Sequence, residues 1–524
     1  NDQSIFHSDY RVKYTNIIFP LLGANYKIET EKKFNEIKYF TSEYFSGMFR
    51  TLNGKIIVHV PKWLDLEIHE FNFGPESSGD ISKEIINNED GKTITYTFSN
   101  IKGQSQKSNT PGRSHIYPHL VFVAKSFTRN GKTVALFNDV GDLYAWYNKL
   151  VQDVAVDPSV FSEKVAELTA SAKTDIEKIK NIYYWVQDNI RYIAFEDGIA
   201  GFRPESPQQV YKKRYGDCKG MAFLTKAMLQ EAGFDARLVW IGTDRLAYDY
   251  SVPSLVVNNH MICAVKLNGS FIFLDATEKY NQFGTYATRI QGKEGLVQSK
   301  EGYKILAVPS SKKISNIDST HYSFSIEKDL LKGNANRYFS GECRSGFQNA
   351  YTSFGNKDRT EALSGYLTSG NNNFLVKEIL PFDPENREKP LTISYGLEVA
   401  NAIVEFDGTI YIDIDPVKNA GEMLFEERKA AFKFHIKKQK VTQINLFVPE
   451  GYSVGSLPED FHLESELVDF SLDYELSEGK ISYKKELKLK KRLIQPADFE
   501  LWNQAFSTIK EKINRQITLV KNQS

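Results

Sequence analysis

At 524 residues the chain is too long for a single hydrophobic core, and one domain per ~150 residues points to three or four. Its balance of 41% hydrophobic, 25% charged and 13% aromatic residues is that of a globular protein. Lys plus Arg (66) equals Asp plus Glu (66), so no net field draws in nucleic acid or an anionic membrane, and no run reaches the ~18 apolar residues of a spanning helix.

The opening NDQSIFHSDY holds neither a starting Met nor a signal-peptide core, and is expected to be a processed or trimmed end. From Asn1 to about Asp139 short alternating runs, GKIIVHV, LEIHEFNF, KTITYTF and TVALF, are separated by Gly, Asn, Ser and Pro clusters, which predicts an antiparallel β domain over residues 1–150. His115 and His119 in PGRSHIYPH are spaced like a metal pair. Pro118 between them opposes a helix holding both on one face, so a loop and no metal are expected.

The period then lengthens. In TDIEKIKNIYYWVQDNI, Thr174 and Glu177 form a candidate capping box, and Ile176, Ile179, Ile182, Tyr183, Val186 and Ile190 recur at helical spacing. A second helix is predicted from Cys218, with Met221, Leu224, Met228 and Leu229 on its apolar stripe and Gly233 as its stop. Residues 151–310 thus form a mixed α and β centre, and 311–524 return to strands in HYSFSIEKD, TIYIDID, AAFKFHIKK, QINLFVP and KISYKKELKLKK. That C-terminal region is interrupted by a helix near 357–368 and closed by an amphipathic helix from about Asp498 to Val520, and KKELKLKKR is expected to be a solvated edge strand. The fold class read from this is α+β multidomain.

Three cysteines, Cys218, Cys263 and Cys343, make no disulfide framework and no metal-ligand spacing. Cys218 is singular because YGDCKG sets it in the first turn of a helix, where unpaired N–H groups and the dipole favour thiolate, with Lys219 and Arg214 adding positive charge. Downstream, Asn268-Gly269 joins MICAVKL to SFIFLDAT as a two-residue hairpin, which puts His260 opposite Thr277 and diagonally beside Asp275. A nucleophile, a base and an orienting acid are the components of a cysteine acyl-transfer system. Cys263 alternates to the face opposite His260 and reads as core, and Cys343 lies outside the centre.

YGDCKGMAFLTKAMLQEAGFDARLVWIGT, NNHMICAVKLNG and FIFLDAT resemble the transglutaminase-like superfamily of papain-like cysteine enzymes, in its order Cys, His, Asp and at similar spacing. The resemblance covers about residues 170–290 and implies a papain-like core with Cys218 as nucleophile, His260 as base and Asp275 as orienter. It also implies a Bacteroidetes-type bacterial protein with flanking β-rich domains, in a secreted, periplasmic or cell-envelope setting. The tryptophan that helps the oxyanion in animal members has no assigned equivalent; Trp185, Tyr192 and Gln208 are the candidates beside the Cys218 N–H. No acidic loop of EF-hand type is present, and no cofactor is expected.

Residues 243–259, TDRLAYDYSVPSLVVNN, are long enough to form a rim or lid, from which Tyr248 and Tyr250 are candidates to touch substrate. The expected reaction is thioester-mediated cleavage of an amide in a peptide, protein or cell wall. Hydrolysis is preferred because amine transfer needs a shaped acceptor channel, and an amine-accepting transglutaminase is the alternative. A binding or assembly protein that keeps the core as a scaffold is the reading from another class.

Overall fold

The computed structural model describes residues 6–8, 23, 29, 36–74, 79–103, 108–196, 198–311, 314–355, 357–418 and 424–522. Most of the first 35 residues of the expected N-terminal β domain therefore lie outside the described residues. The chain divides into two compact units: Asn1–Gln106, Gly112–Glu278 and Arg289–Pro309 form the first, and Lys107–Pro111, Lys279–Thr288 and Ser310–Ser524 the second.

In the first unit the strand His119–Arg129 serves two cores at once. Leu120, Phe122 and Ala124 join Val58, Leu66, Ile94 and Tyr96 in one cluster. Val121 and Val123, on the opposite face, join Leu143, Tyr147, Phe223, Trp240 and Met261 in another. Side chains alternate along a strand, so a run apolar at every position is buried on both faces. That shared strand explains why the N-terminal sheets and the central region belong to one unit.

The central region positions the candidate site. Helix α1 (Asp175–Asn189) opens on the expected capping box: Thr174 Oγ1 accepts the Glu177 N–H at 3.2 Å, and Glu177 Oε2 accepts that of Thr174 at 3.2 Å. Ile179, Ile182, Tyr183 and Val186 are buried, whereas Ile176 in the first turn is exposed. Helix α2 (Pro207–Lys213) ends at Arg214, whose φ is 60°. Helix α3 (Cys218–Glu231) buries Met221, Leu224, Met228 and Leu229 and ends before Gly233, at φ 87°. A Cβ on Gly220 would meet Val210 Cγ2 at 3.0 Å, so glycine there lets α2 approach the start of α3.

Helix α3 packs on an antiparallel sheet of β1 (Asp235–Ile241), β2 (His260–Leu267), β3 (Ser270–Leu274), β4 (Glu294–Ser299) and β5 (Gly302–Ala307), in the spatial order β3-β2-β1-β4-β5. The β2–β3 register pairs Leu267 with Ser270 and Cys263 with Leu274. Asn268 at φ 49° and Gly269 at φ 83° supply the left-handed pair of a two-residue hairpin loop.

The second unit carries an eight-stranded sheet and a four-stranded sheet over a core centred on Trp502, Phe506 and Ile509 of the helix Phe499–Ile513. That helix stops short of the expected Val520. Ile517–Lys521 is a strand between Thr409–Ile412 and Tyr452–Ser456, because Ile517 and Leu519 are buried at a period of two. The lysine-rich segment is also not an edge. Lys480–Leu489 lies between Gln439–Phe447 and Val468–Ser477, where Lys484 and Lys488 pair with Glu486 and buried Lys485 pairs with Asp415. In AAFKFHIKK only Phe432–Lys433 is strand. The helix near 357–368 is found at Arg359–Leu367, and the helix Gly341–Ser353, holding Cys343, was not anticipated because its polar small residues leave a thin apolar stripe. The chain is thus α+β and multidomain, with eight α-helices among the described residues, none of them long and apolar enough to cross a membrane.

Candidate active site

Cys218 occupies the first position of α3 and is 8% exposed. Asp217 caps the helix, its Oδ1 accepting the Gly220 N–H at 2.9 Å. Its other oxygen pairs with the buried ammonium of Lys219, and the Arg214 guanidinium stacks on Tyr211 at 4.5 Å and Trp185 at 4.8 Å. The positive charge expected from Lys219 is therefore balanced by its own neighbour. The backbone N–H groups and the helix dipole are what the fold offers the sulfur.

His260 is the first residue of β2, opposite Ile241 of β1, and its ring is buried. Nε2 lies 2.8 Å from Asp275 Oδ2, and Cys218 is near enough for its side chain to act on the same imidazole electrostatically. Burial pushes the imidazole down, but the charge and hydrogen bond of Asp275, then the influence of Cys218, outweigh it and raise it to about 9. The ring is thus set to carry a proton at neutral pH.

Asp275 follows β3 in the turn to Glu278. Oδ2 takes His260 Nε2 and Arg289 Nη2, the latter at 2.9 Å, while Oδ1 accepts the Thr277 N–H at 3.2 Å and its hydroxyl at 2.7 Å. Burial raises the carboxyl, yet the charges of His260 and Arg289 and these donors hold it well below the usual carboxylate range. Helix α1 anchors the same turn: Tyr183 Oη donates to the Asp275 carbonyl at 3.1 Å and Gln187 Nε2 to that of Glu278 at 2.8 Å. Arg289 was missed from the sequence. It sits in TYATRIQGK, where no periodicity or motif marks it.

The parallel pairing of Arg191–Tyr192 with Tyr215–Gly216 sets the backbone of Tyr192 beside Gly216, two residues before Cys218. Trp185 belongs to the stack with Tyr211 and Arg214. Gln208 ties down the backbone of residues 155–157, donating to the Ala155 carbonyl at 3.0 Å and accepting the Asp157 N–H at 3.3 Å.

Tyr248 and Tyr250 require a correction. Both rings are buried in the core that holds Trp240 and Met261, with Tyr248 Oη 2.6 Å from His119 Nε2 and Tyr250 Oη donating to the Trp240 carbonyl at 2.7 Å. The 243–259 segment packs inward at Tyr248, Tyr250, Val252, Leu255 and Val257 instead of forming a rim from which these tyrosines reach substrate. His119 is buried with its Nδ1 on the Tyr117 carbonyl, and among the described residues no His, Cys, Asp and Glu group is arranged to hold a metal ion. A cavity of about 340 Å³ opens beside the start of α3, lined by Ala200, Arg203, Pro204, Glu205, Lys213, Tyr215 and Asp217.

Comparison with known proteins agrees with this geometry at the level of fold. A crystal structure from Parabacteroides distasonis, described as a "putative protease", superposes with a TM-score of 0.57 at 12% identity, over 92% of this chain and 74% of the other. A second structure, from Cytophaga hutchinsonii and described as a "putative cysteine protease", gives a TM-score of 0.21 at 13% identity, over 51% of this chain and 78% of the other. No curated protein matches the sequence. Residues 409–519 match a domain of unknown function, DUF3858. Residues 162–276, which contain Cys218, His260 and Asp275, match the transglutaminase-like superfamily model, and this central part of the chain is a transglutaminase-like domain.

Proposed function

We propose that the protein is a cysteine-nucleophile enzyme that cleaves amide bonds through a thioester, acting as a peptidase or amidase. The observation that carries this reading is the buried His260–Asp275 pair with Cys218 acting on the same imidazole, the sulfur at a helix start and the imidazole held protonated. Cys218 Sγ, as thiolate, attacks the amide carbonyl carbon while the Cys218 N–H receives the developing oxyanion. The C–N bond breaks as His260 passes its proton to the leaving amine. His260, now neutral, takes a proton from water as the water oxygen attacks the thioester, releasing the carboxylic acid and returning the thiolate–imidazolium pair.

Asp275 does not take the proton in this scheme. Fixed by four donors, it orients the ring and offsets its charge. Hydrolysis is preferred to amine transfer because water needs no dedicated acceptor channel. The proposed substrates are peptides or cell-wall amides, in a secreted or envelope setting.

Intact-mass measurement after incubation with peptide and cell-wall libraries tests the proposal. A covalent acyl adduct on the wild type, absent from Cys218→Ala, is expected. Release as free acid in the presence of a primary amine supports the hydrolase, whereas an amine-coupled product makes it a transferase. The absence of adduct and of cleaved amide across the libraries would leave a scaffold.

A further inference from the structure

We infer that Arg289 is a positioning residue of the site: its guanidinium holds the Asp275 carboxylate in the orientation that orders His260 against Cys218. The inference rests on the proposed Cys218–His260 pair and extends it to a side chain that no sequence pattern marks.

The geometry is that of a fork. Arg289 Nη2 donates to Asp275 Oδ2 at 2.9 Å and to Thr277 Oγ1 at 3.0 Å, and Nε pairs with the Glu278 carboxylate. One planar group therefore grips the acid, the hydroxyl that also donates to that acid, and the end of the turn carrying both. The chain leaves the first unit at Glu278 and returns to it at Arg289, so the Arg289–Glu278 pair also closes the neck of a ten-residue excursion, Lys279–Thr288.

An uncomplicated strut would avoid the imidazole, yet Arg289 Nη2 lies 3.2 Å from His260 Nε2. Two cations so close repel unless an anion lies between them, and Asp275 Oδ2 contacts both. A single carboxylate oxygen thus serves two positive groups. Rotation of Asp275 about its side-chain torsions would break both contacts together, which makes the orientation of the acid sensitive to Arg289. The charged and titratable groups facing the imidazole are Cys218 from α3, Asp275 from the β3 turn and Arg289. The Arg289 side chain is 31% exposed, so a small solute can reach the space it fills.

The test uses iodoacetamide labelling of Cys218, followed by mass, because it needs no known substrate. At about pH 6 a free thiol is almost wholly protonated, so fast labelling there reports the ion pair. Arg289→Ala is expected to slow it about tenfold, the equivalent of one pKa unit. Added guanidinium, far below denaturing concentration, restores part of the rate, and so does Arg289→Lys. Slow labelling of the wild type itself overturns the ion pair and with it the proposed function. Fast wild-type labelling with an unchanged rate in Arg289→Ala overturns the role of Arg289 alone. A loss that neither guanidinium nor lysine repairs makes the residue a strut of the fold, which also overturns it.

Discussion

Tyr183 donates its hydroxyl to the backbone carbonyl of Asp275 at 3.1 Å, across 92 residues of sequence. One turn further along the same face of α1, Gln187 donates to the carbonyl of Glu278 at 2.8 Å. The helix that reads as a simple amphipathic element is therefore a brace for the acid of the site. Tyr183→Phe keeps the ring and removes the donor, and the loss is expected to cost about 1–2 kcal/mol of unfolding free energy. Low-pH labelling of Cys218 is expected to slow in the same variant, since Asp275 loses part of its footing. Chemical denaturation and the labelling rate, measured together, check both.

The raised His260 gives a pH dependence with a definite sign. An imidazole at about 9 in the fold, against about 6.5 when unfolded, stabilises the fold through its protonated form. That contribution is fully present below about pH 6.5 and is lost as pH rises through about 9. The stability difference between wild type and His260→Gln is therefore expected to shrink steadily from neutral pH to above 9. Amide turnover should fall over the same range as the proton for the leaving amine is lost. Urea unfolding of both proteins across this range checks the first expectation, and a difference that grows with pH contradicts it.

Local rules make much of this site readable in the sequence. Asn268-Gly269 fixed a hairpin register that fixes which residues lie beside His260, and the Thr174–Glu177 box located α1. What escaped is the long-range part. Arg289 reaches Asp275 from beyond an excursion of the chain, and Tyr183 reaches it from a helix whose spacing reveals burial but not a partner. Tyr248 and Tyr250 were misread because a segment between two strands resembles a surface loop, whereas alternating side chains of this one enter the core. The same limit explains Lys480–Leu489: alternating lysines suit an edge, yet they equally suit the solvent face of an interior strand with Glu486 between them.

Tyr250 offers a direct check on that correction. Its ring is buried and its hydroxyl donates to the Trp240 carbonyl while accepting from Asn258 Nδ2 at 3.3 Å. Tyr250→Ala is expected to cost about 3–5 kcal/mol through lost packing, and Tyr250→Phe about 1–2 kcal/mol through the lost hydroxyl hydrogen bonds. Labelling of Cys218 in Tyr250→Phe should match the wild type. A variant of normal stability with altered substrate preference would instead return this tyrosine to a binding surface.

Asp217 serves two demands at the start of α3, capping the helix and facing the buried Lys219 ammonium. Asp217→Asn keeps an oxygen for the Gly220 N–H and removes the charge, while Asp217→Ala removes both. The cap alone is worth about 1 kcal/mol, and taking one partner from a buried ion pair costs about 3–5 kcal/mol. Asp217→Asn is thus expected to be nearly as destabilising as Asp217→Ala. Adding Lys219→Met to Asp217→Asn should recover most of the loss, which a double-mutant cycle measures directly.

The three cysteines provide an internal comparison for the reactive thiol. Burial pushes the Cys263 thiol up to about 12, with only partial relief from Lys226, and its side chain is enclosed on the face of β2 opposite His260. Burial likewise pushes Cys343 up to about 12. Neither reaches appreciable thiolate near neutral pH, and thiolate is the alkylated species. Brief iodoacetamide treatment of the folded protein at pH ~7 is therefore expected to add a single carbamidomethyl group, located at Cys218 by peptide mass. Cys218→Ala should remain unmodified under the same conditions and acquire two groups once denatured, one on each remaining cysteine. Equal labelling of Cys218 and Cys343 in the native wild type would mean that the helix start and His260 confer no special reactivity, and the nucleophile assignment would be lost with it.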